Sequence, residues 1–152
     1  MHRPFGGVLD SREPVRGRDR REPGGVGLVD ALPLVLGDGR ALRYPVGVGR
    51  AGKTWSGTSY IAGKYRNPAW SPPAEIRRDR PNLPAVIPGG SPSNPMGVAA
   101  MTLATGEYAI HGTNAPGSIG GFVSYGCIRM HNRDIVDLYE RVGVGTRVVV
   151  ER

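Results

Sequence analysis

Ala99-Ala100-Met101-Thr102-Leu103-Ala104-Thr105-Gly106-Glu107-Tyr108-Ala109-Ile110 reads as two short strands around a four-residue turn, Ala104 to Glu107. Downstream, Asn132 stands where a helix cap belongs, ahead of Ile135, Val136, Leu138, Tyr139 and Val142 at i, i+1, i+3, i+4 and i+7. Gly143 ends that helix, and Thr146 to Val150 supplies a last strand. Upstream, Leu34-Val35-Leu36 and Ala41 to Val48 flank Gly37-Asp38-Gly39, the pattern of a hairpin, and Trp55 to Ala62 offers another strand. Between Asn67 and Pro95 stand Pro68, Pro72, Pro73, Pro81, Pro84, Pro88, Pro92 and Pro95, so no regular structure is expected there. Strand-like text on both sides makes that stretch a long loop, of the kind that serves as a lid or binding loop, in preference to a linker.

The chain has 152 residues, enough for one domain and too few for two of ordinary size. Its 24 glycines and 14 prolines exclude a mainly helical protein. The expected fold is mainly β, a sandwich or barrel-like arrangement of mixed sheets with one short α-helix near the C-terminus and the long Pro-rich loop. A net charge of +7 draws polyanions, whether nucleic acid, anionic lipid or acidic cell-wall polymer, and does not choose among them. No stacking-aromatic pattern or recognition helix favours nucleic acid. The single cysteine, Cys127, excludes an intramolecular disulfide framework and a multi-cysteine zinc site.

Residues 1–25, rich in arginine and poor in apolar side chains, read as a disordered arm or a mis-called start, with the domain proper over 26–152. No uninterrupted apolar run follows Met1, so neither a secretory signal nor a transmembrane segment is legible; Val26 to Leu36 is broken by Asp30 and Pro33. Pro33 also makes the first strand a poor one.

Gly47-Val48-Gly49-Arg50-Ala51-Gly52-Lys53-Thr54 matches the P-loop string letter for letter. Phosphate binding by such a loop needs a helix directly after it, and Trp55-Ser56-Gly57-Thr58-Ser59-Tyr60 is β-like and broken by glycine. The run before it alternates like a half-exposed antiparallel strand. Nucleotide binding is therefore set aside in favour of a strand and a Gly-rich turn.

Chemistry concentrates between Tyr108 and Met130. Cysteine catalysis needs a base or electropositive setting for the thiol and donors for an oxyanion. His111 closes a strand-like run and can act as the base; Gly126 permits close approach beside Cys127; Arg129 shares a face with Cys127 if the segment is extended. Packing remains the other reading of a lone cysteine, and the residues alone leave both open. A metal site from His111, Cys127 and His131 lacks a fourth ligand and a familiar spacing.

His111-Gly112-Thr113 and Ser124-Tyr125-Gly126-Cys127-Ile128-Arg129-Met130, followed by Asn132, Asp134, Leu138-Tyr139, Val142 and Gly145-Thr146, closely resemble the L,D-transpeptidase catalytic domain of the YkuD type. The resemblance extends more loosely from about Leu34 to the C-terminus. It implies Cys127 as nucleophile, His111 as base, the Gly112 carbonyl as orienter of the imidazole, and N–H groups near Gly126 and Cys127 as oxyanion hole. Arg129, Ser124, Tyr125, Thr113 and Tyr108 are the implied substrate-side residues, with Ser124 also supporting the loop. Tyr125 stands where the family most often has His. The implied reaction joins two peptidoglycan stem tetrapeptides in a 3→3 cross-link through a cysteine acyl-enzyme, with no metal or organic cofactor, in the periplasm or cell envelope. Hydrolysis of the same intermediate, anchoring of a lipoprotein amine, and a non-catalytic wall-binding module are the alternatives.

Overall fold

The computed structural model describes residues 6–10, 31–37, 39–49 and 55–151. β2 (Ala31–Gly37) and β3 (Arg40–Gly49) form the expected hairpin, with Leu32 opposite Tyr44 and Leu34 opposite Leu42. Leu32, Leu34, Tyr44, Val46 and Val48 are all buried, so the period-2 pattern sends one set of side chains inward. Pro33 does not break β2, a correction to the sequence reading. The neighbouring strand β1 (Gly6–Asp10) pairs with β2 at Ala31 and Leu34, and the proline, which has no N–H to give, falls between those positions.

β1 itself corrects the reading of the N-terminal arm. Its five residues pair antiparallel with β9 (Arg147–Glu151), Val8 in register with Val149 and Leu9 with Val148, so this short stretch joins the sheet through its backbone. The remainder of the 1–25 arm lies outside the described residues. So do residues 50–54 of the P-loop string, whereas Gly47 and Gly49 sit within β3, opposite Arg129 and Ser124.

The other strands are β4 (Gly57–Arg66), β5 (Ala99–Leu103), β6 (Ala109–His111), β7 (Phe122–Ser124) and β8 (Ile128–Met130). Among the described residues they make one nine-stranded sheet in the order β2-β1-β9-β4-β5-β6-β8-β3-β7, which closes on itself through the β2–β3 hairpin. β5 and β6 flank the expected turn, where Gly106 takes φ +60, a left-handed value that glycine adopts without strain.

Among the described residues, the longer of the two α-helices packs on this sheet. α2 (Asn132–Arg141) lies on β5 and β6 and buries Ile135 and Leu138, as the apolar spacing requires. Its C-terminal carbonyls receive the Lys64 ammonium, which donates to Tyr139 O at 2.6 Å and Val142 O at 2.8 Å. Asn132 is not its N-cap. His131 occupies that position without a side-chain cap, because the Asn132 amide is engaged elsewhere.

The Pro-rich stretch is more ordered than expected: α1 (Ala74–Asp79) forms within it. Pro72 and Pro73 precede the helix, where their fixed φ is tolerated, and residues 74–80 are free of proline. Arg77 ties α1 to its loop by donating from Nε to Pro72 O and from Nη2 to Ala85 O. The neck of the loop is tied separately. Trp70 and Ile87 form a two-way backbone bridge, and the buried Asn94 amide donates to the carbonyls of Pro68, Ile87 and Pro88 while its oxygen accepts from Met96 N–H.

Candidate active site

β6 and β8 run parallel, with Ile110 beside Ile128 and His111 beside Arg129. Ile110 and Ile128 face the core. Alternation then puts His111 and Arg129 together on the other face, and Cys127, directly before β8, feels the same Arg129 charge as His111. A strand spacing of about 4.8 Å and a two-residue advance of about 6.6 Å set the His111 and Cys127 backbones roughly 8 Å apart, within reach of two side chains directed to one point. The sequence reading brought these three residues together, and the strand register is the physical reason.

His111 is 4% exposed, and its Nδ1 lies 2.6 Å from the Gly112 carbonyl. A carbonyl can only accept, so Nδ1 carries the hydrogen and Nε2 holds the lone pair. Burial pulls the imidazole down to a pKa of about 4; the Gly112 carbonyl opposes this, the Arg129 charge adds to it, and the Pro95 carbonyl opposes it weakly. The ring is neutral at pH 7 and ready to accept a proton.

Cys127 shows the complementary shift. Burial raises its thiol, against the Ala109 N–H and the Arg129 charge, which favour the thiolate, while Glu107 adds a small upward push. The Sγ lies 3.9 Å from the Glu107 carbonyl. At rest the pair is therefore thiol and neutral imidazole, not an ion pair. Arg129 stands beside both; its Nη1 donates to Ser118 Oγ at 3.1 Å, while its buried Nε has no hydrogen-bond partner among the described residues. An unpartnered guanidinium N–H next to the thiol suits an anionic group of a ligand.

The turn before Cys127 is held by Ser124, which is 3% exposed. Its Oγ donates to Cys127 O at 2.6 Å and accepts from Gly126 N–H at 3.2 Å. Two expectations change as a result: Ser124 shapes the turn and is too buried to meet substrate, and Gly126 N–H is already engaged, which removes it from the oxyanion hole in this conformation. Thr113 is likewise buried. Its hydroxyl accepts from Ala115 N–H at 2.9 Å, so it orders its loop and offers no substrate contact. Tyr108 stacks on Trp55, ring centroids 4.6 Å apart and planes within 5°, and Tyr125 donates its hydroxyl to Asp79 of α1 at 2.7 Å.

Asn132, read from the sequence as a helix cap, and Trp55, read as the start of a strand, turn out to brace the site. Asn132 Oδ1 accepts from Thr113 N–H at 3.0 Å and Val98 N–H at 3.4 Å, and its Nδ2 donates to Thr113 O at 3.0 Å. It thereby anchors the His111-Gly112-Thr113 segment to α2. Nothing bulkier than glycine fits beside it: a Cβ on Gly97 or on Gly112 would come within 2.3 Å of Asn132 Oδ1. Among the described residues, no three of His, Cys, Asp and Glu cluster closely enough to hold a metal ion.

The buried neutral imidazole makes stability depend on pH. An unfolded chain protonates this ring below about 6.5 and the folded state only below about 4, so between those values the unfolded state binds more protons. Stability is expected to fall by roughly 3 kcal/mol as pH drops across that window. Urea unfolding at pH 7 and pH 4.5 checks this: His111→Asn should remove much of the loss, and an identical loss in the variant would show that the ring is not held neutral.

The closed β sheet and the Cys127, His111 and Arg129 face define a β domain equipped with one thiol and a neutral base. The family model described as the L,D-transpeptidase catalytic domain, YkuD, matches residues 30–150. The chain belongs to this family. It is 44% identical over 120 residues to the probable L,D-transpeptidase YbiS of Escherichia coli, covering 74% of this chain and 38% of that protein. It is 38% identical over 122 residues to the putative L,D-transpeptidase YkuD of Bacillus subtilis, covering 80% of this chain and 60% of that one. The match thus spans less than two thirds of either relative. In fold it is similar to an L,D-transpeptidase from Mycobacterium smegmatis, with a TM-score of 0.58 at 22% identity over 98% of this chain and 59% of that one. It is also similar to the catalytic domain of an Enterococcus faecium L,D-transpeptidase solved in a form acylated by ertapenem, with a TM-score of 0.55 at 21% identity over 75% of this chain and 84% of that one.

Proposed function

We propose that this chain is a peptidoglycan L,D-transpeptidase that forms 3→3 cross-links through a cysteine acyl-enzyme. The observation that carries this reading is that β6 ends in His111 beside Arg129 of the parallel strand β8, with Cys127 directly before β8 and the Arg129 charge acting on both. The neutral His111 Nε2 takes the thiol proton as Sγ adds to the carbonyl of the third stem residue. The tetrahedral oxyanion collapses, the C–N bond breaks, and His111 returns the proton to the departing D-alanine amine. An amine of a second stem then attacks the thioester, its proton passes by way of His111 to the leaving sulfur, and Cys127 is regenerated. Arg129 Nε, buried and without a partner among the described residues, receives a stem carboxylate. The substrate places the enzyme in the periplasm or cell envelope, where its net charge of +7 suits an anionic wall.

Incubation with a stem tetrapeptide and mass analysis of products tests the reading. Cross-linked dimer with release of D-alanine is expected from wild type and none from Cys127→Ala. Tripeptide alone would mean that water is the acceptor, and an inert wild type would leave only a binding module.

A further inference from the structure

Trp55 precedes β4 and reaches the catalytic turn, where its indole Nε1–H donates to the Gly126 carbonyl at 3.0 Å. The other face of this arrangement is fixed by the stack on Tyr108. Gly126 takes φ +115, in a region that only glycine enters freely, so the peptide between Gly126 and Cys127 has little steric restraint of its own. In a trans peptide the carbonyl and the following N–H point in opposite directions. Holding the Gly126 carbonyl therefore fixes the direction of the Cys127 N–H. With Gly126 N–H engaged by Ser124, the nucleophile's own N–H carries more of the duty of meeting an oxyanion.

We infer that Trp55 is a positioning residue for acyl transfer, clamping the Gly126 carbonyl so that the Cys127 N–H faces the developing oxyanion. The inference rests on the acyl-transfer reading above. A half-buried indole N–H requires some acceptor in any fold, so the test must separate aim from mere packing.

Two reactions of the same thiol do this. A carbapenem acylates Cys127: the S–C bond forms, the lactam C–N bond breaks, the thiol proton ends on the lactam nitrogen, and an oxyanion forms on the way. Iodoacetamide alkylates the same sulfur with loss of iodide and forms no oxyanion. Trp55→Phe keeps the aromatic ring for Tyr108 and removes only the donor. Its acylation rate is expected to fall roughly tenfold, with the alkylation rate and melting temperature unchanged. Equal rates of acylation in variant and wild type would overturn the proposal, as would an equal slowing of both reactions, which points to an altered thiol. Should the variant unfold too readily to assay, the wild-type indole N–H resonance decides. Protection from solvent exchange before and after acylation is expected, and exchange at the rate of free indole overturns the clamp. A wild type that alkylates but takes up no carbapenem removes the acyl-transfer reading itself, and the clamp with it.

Discussion

His111→Gln is expected to reduce acylation of Cys127 by a carbapenem roughly a thousandfold while the protein still folds. The thiol rests above its ordinary pKa of 9.0 because it is buried, so at pH 7 fewer than about one molecule in a hundred carries the thiolate without help. Attack therefore needs proton removal at the moment of bond formation, and a positioned base of this kind contributes on the order of 10² to 10⁴ in rate. Glutamine retains a hydrogen-bonding group near the Gly112 carbonyl but cannot take a proton. Stopped-flow acylation across pH adds a second reading. Wild type should hold a broad plateau bounded by an acid limb near pH 4, and the variant should lose that limb and become steadily faster as pH rises toward the thiol's own ionisation. A variant within tenfold of wild type at pH 7 would show that another group ionises Cys127.

Asn132→Ala carries the second large effect. The substitution strips partners from the part-buried Thr113 N–H and Thr113 O and from the exposed Val98 N–H, and a backbone group left unpaired out of water costs about 1–3 kcal/mol. A loss of roughly 2–4 kcal/mol in unfolding free energy is expected, which for a domain of this size lowers Tm by roughly 10 °C. The acylation rate should fall about a hundredfold even well below Tm. Thr113 adjoins Gly112, whose carbonyl fixes the His111 tautomer, and displacement of a base by about 1 Å has an effect of that order. Asn132→Asp keeps the two acceptor contacts and loses only the donor to Thr113 O, so it should recover part of both losses. Acylation unchanged in Asn132→Ala would show that α2 plays no part in placing the base.

Much of this site was legible because its members are close in sequence or share a strand. The turn between Leu103 and Tyr108, the helix from Asn132 and the His111 and Cys127 pair all announce themselves through local pattern. What escaped depends on contacts between distant segments. Asn132 looks like a helix cap by position, and only the fold brings Thr113, 19 residues earlier, against its amide. Trp55 lies 71 residues from Gly126, so nothing local ties its indole to the catalytic turn. Pro33 and the short α1 were misread for a related reason. Proline rules forbid a donor or fix a dihedral, and neither prevents β2 from carrying Pro33 between its pairing positions with β1 and opposite Arg43 of β3, or a helix from starting just after two prolines. β1 was hidden by the polar sequence around it, since its pairing partner β9 lies at the other end of the chain.

The Asn94 amide, gathering carbonyls from both ends of the Pro-rich segment, turns that segment into a drawn purse whose string lies at Pro68, Ile87 and Pro88. Chain between the string and the tip can lengthen or shorten at small entropic cost, because closure is already achieved below it. Such a module can be regrafted with a different tip, and so with a different reach, while the strands that carry His111 and Arg129 stay in register.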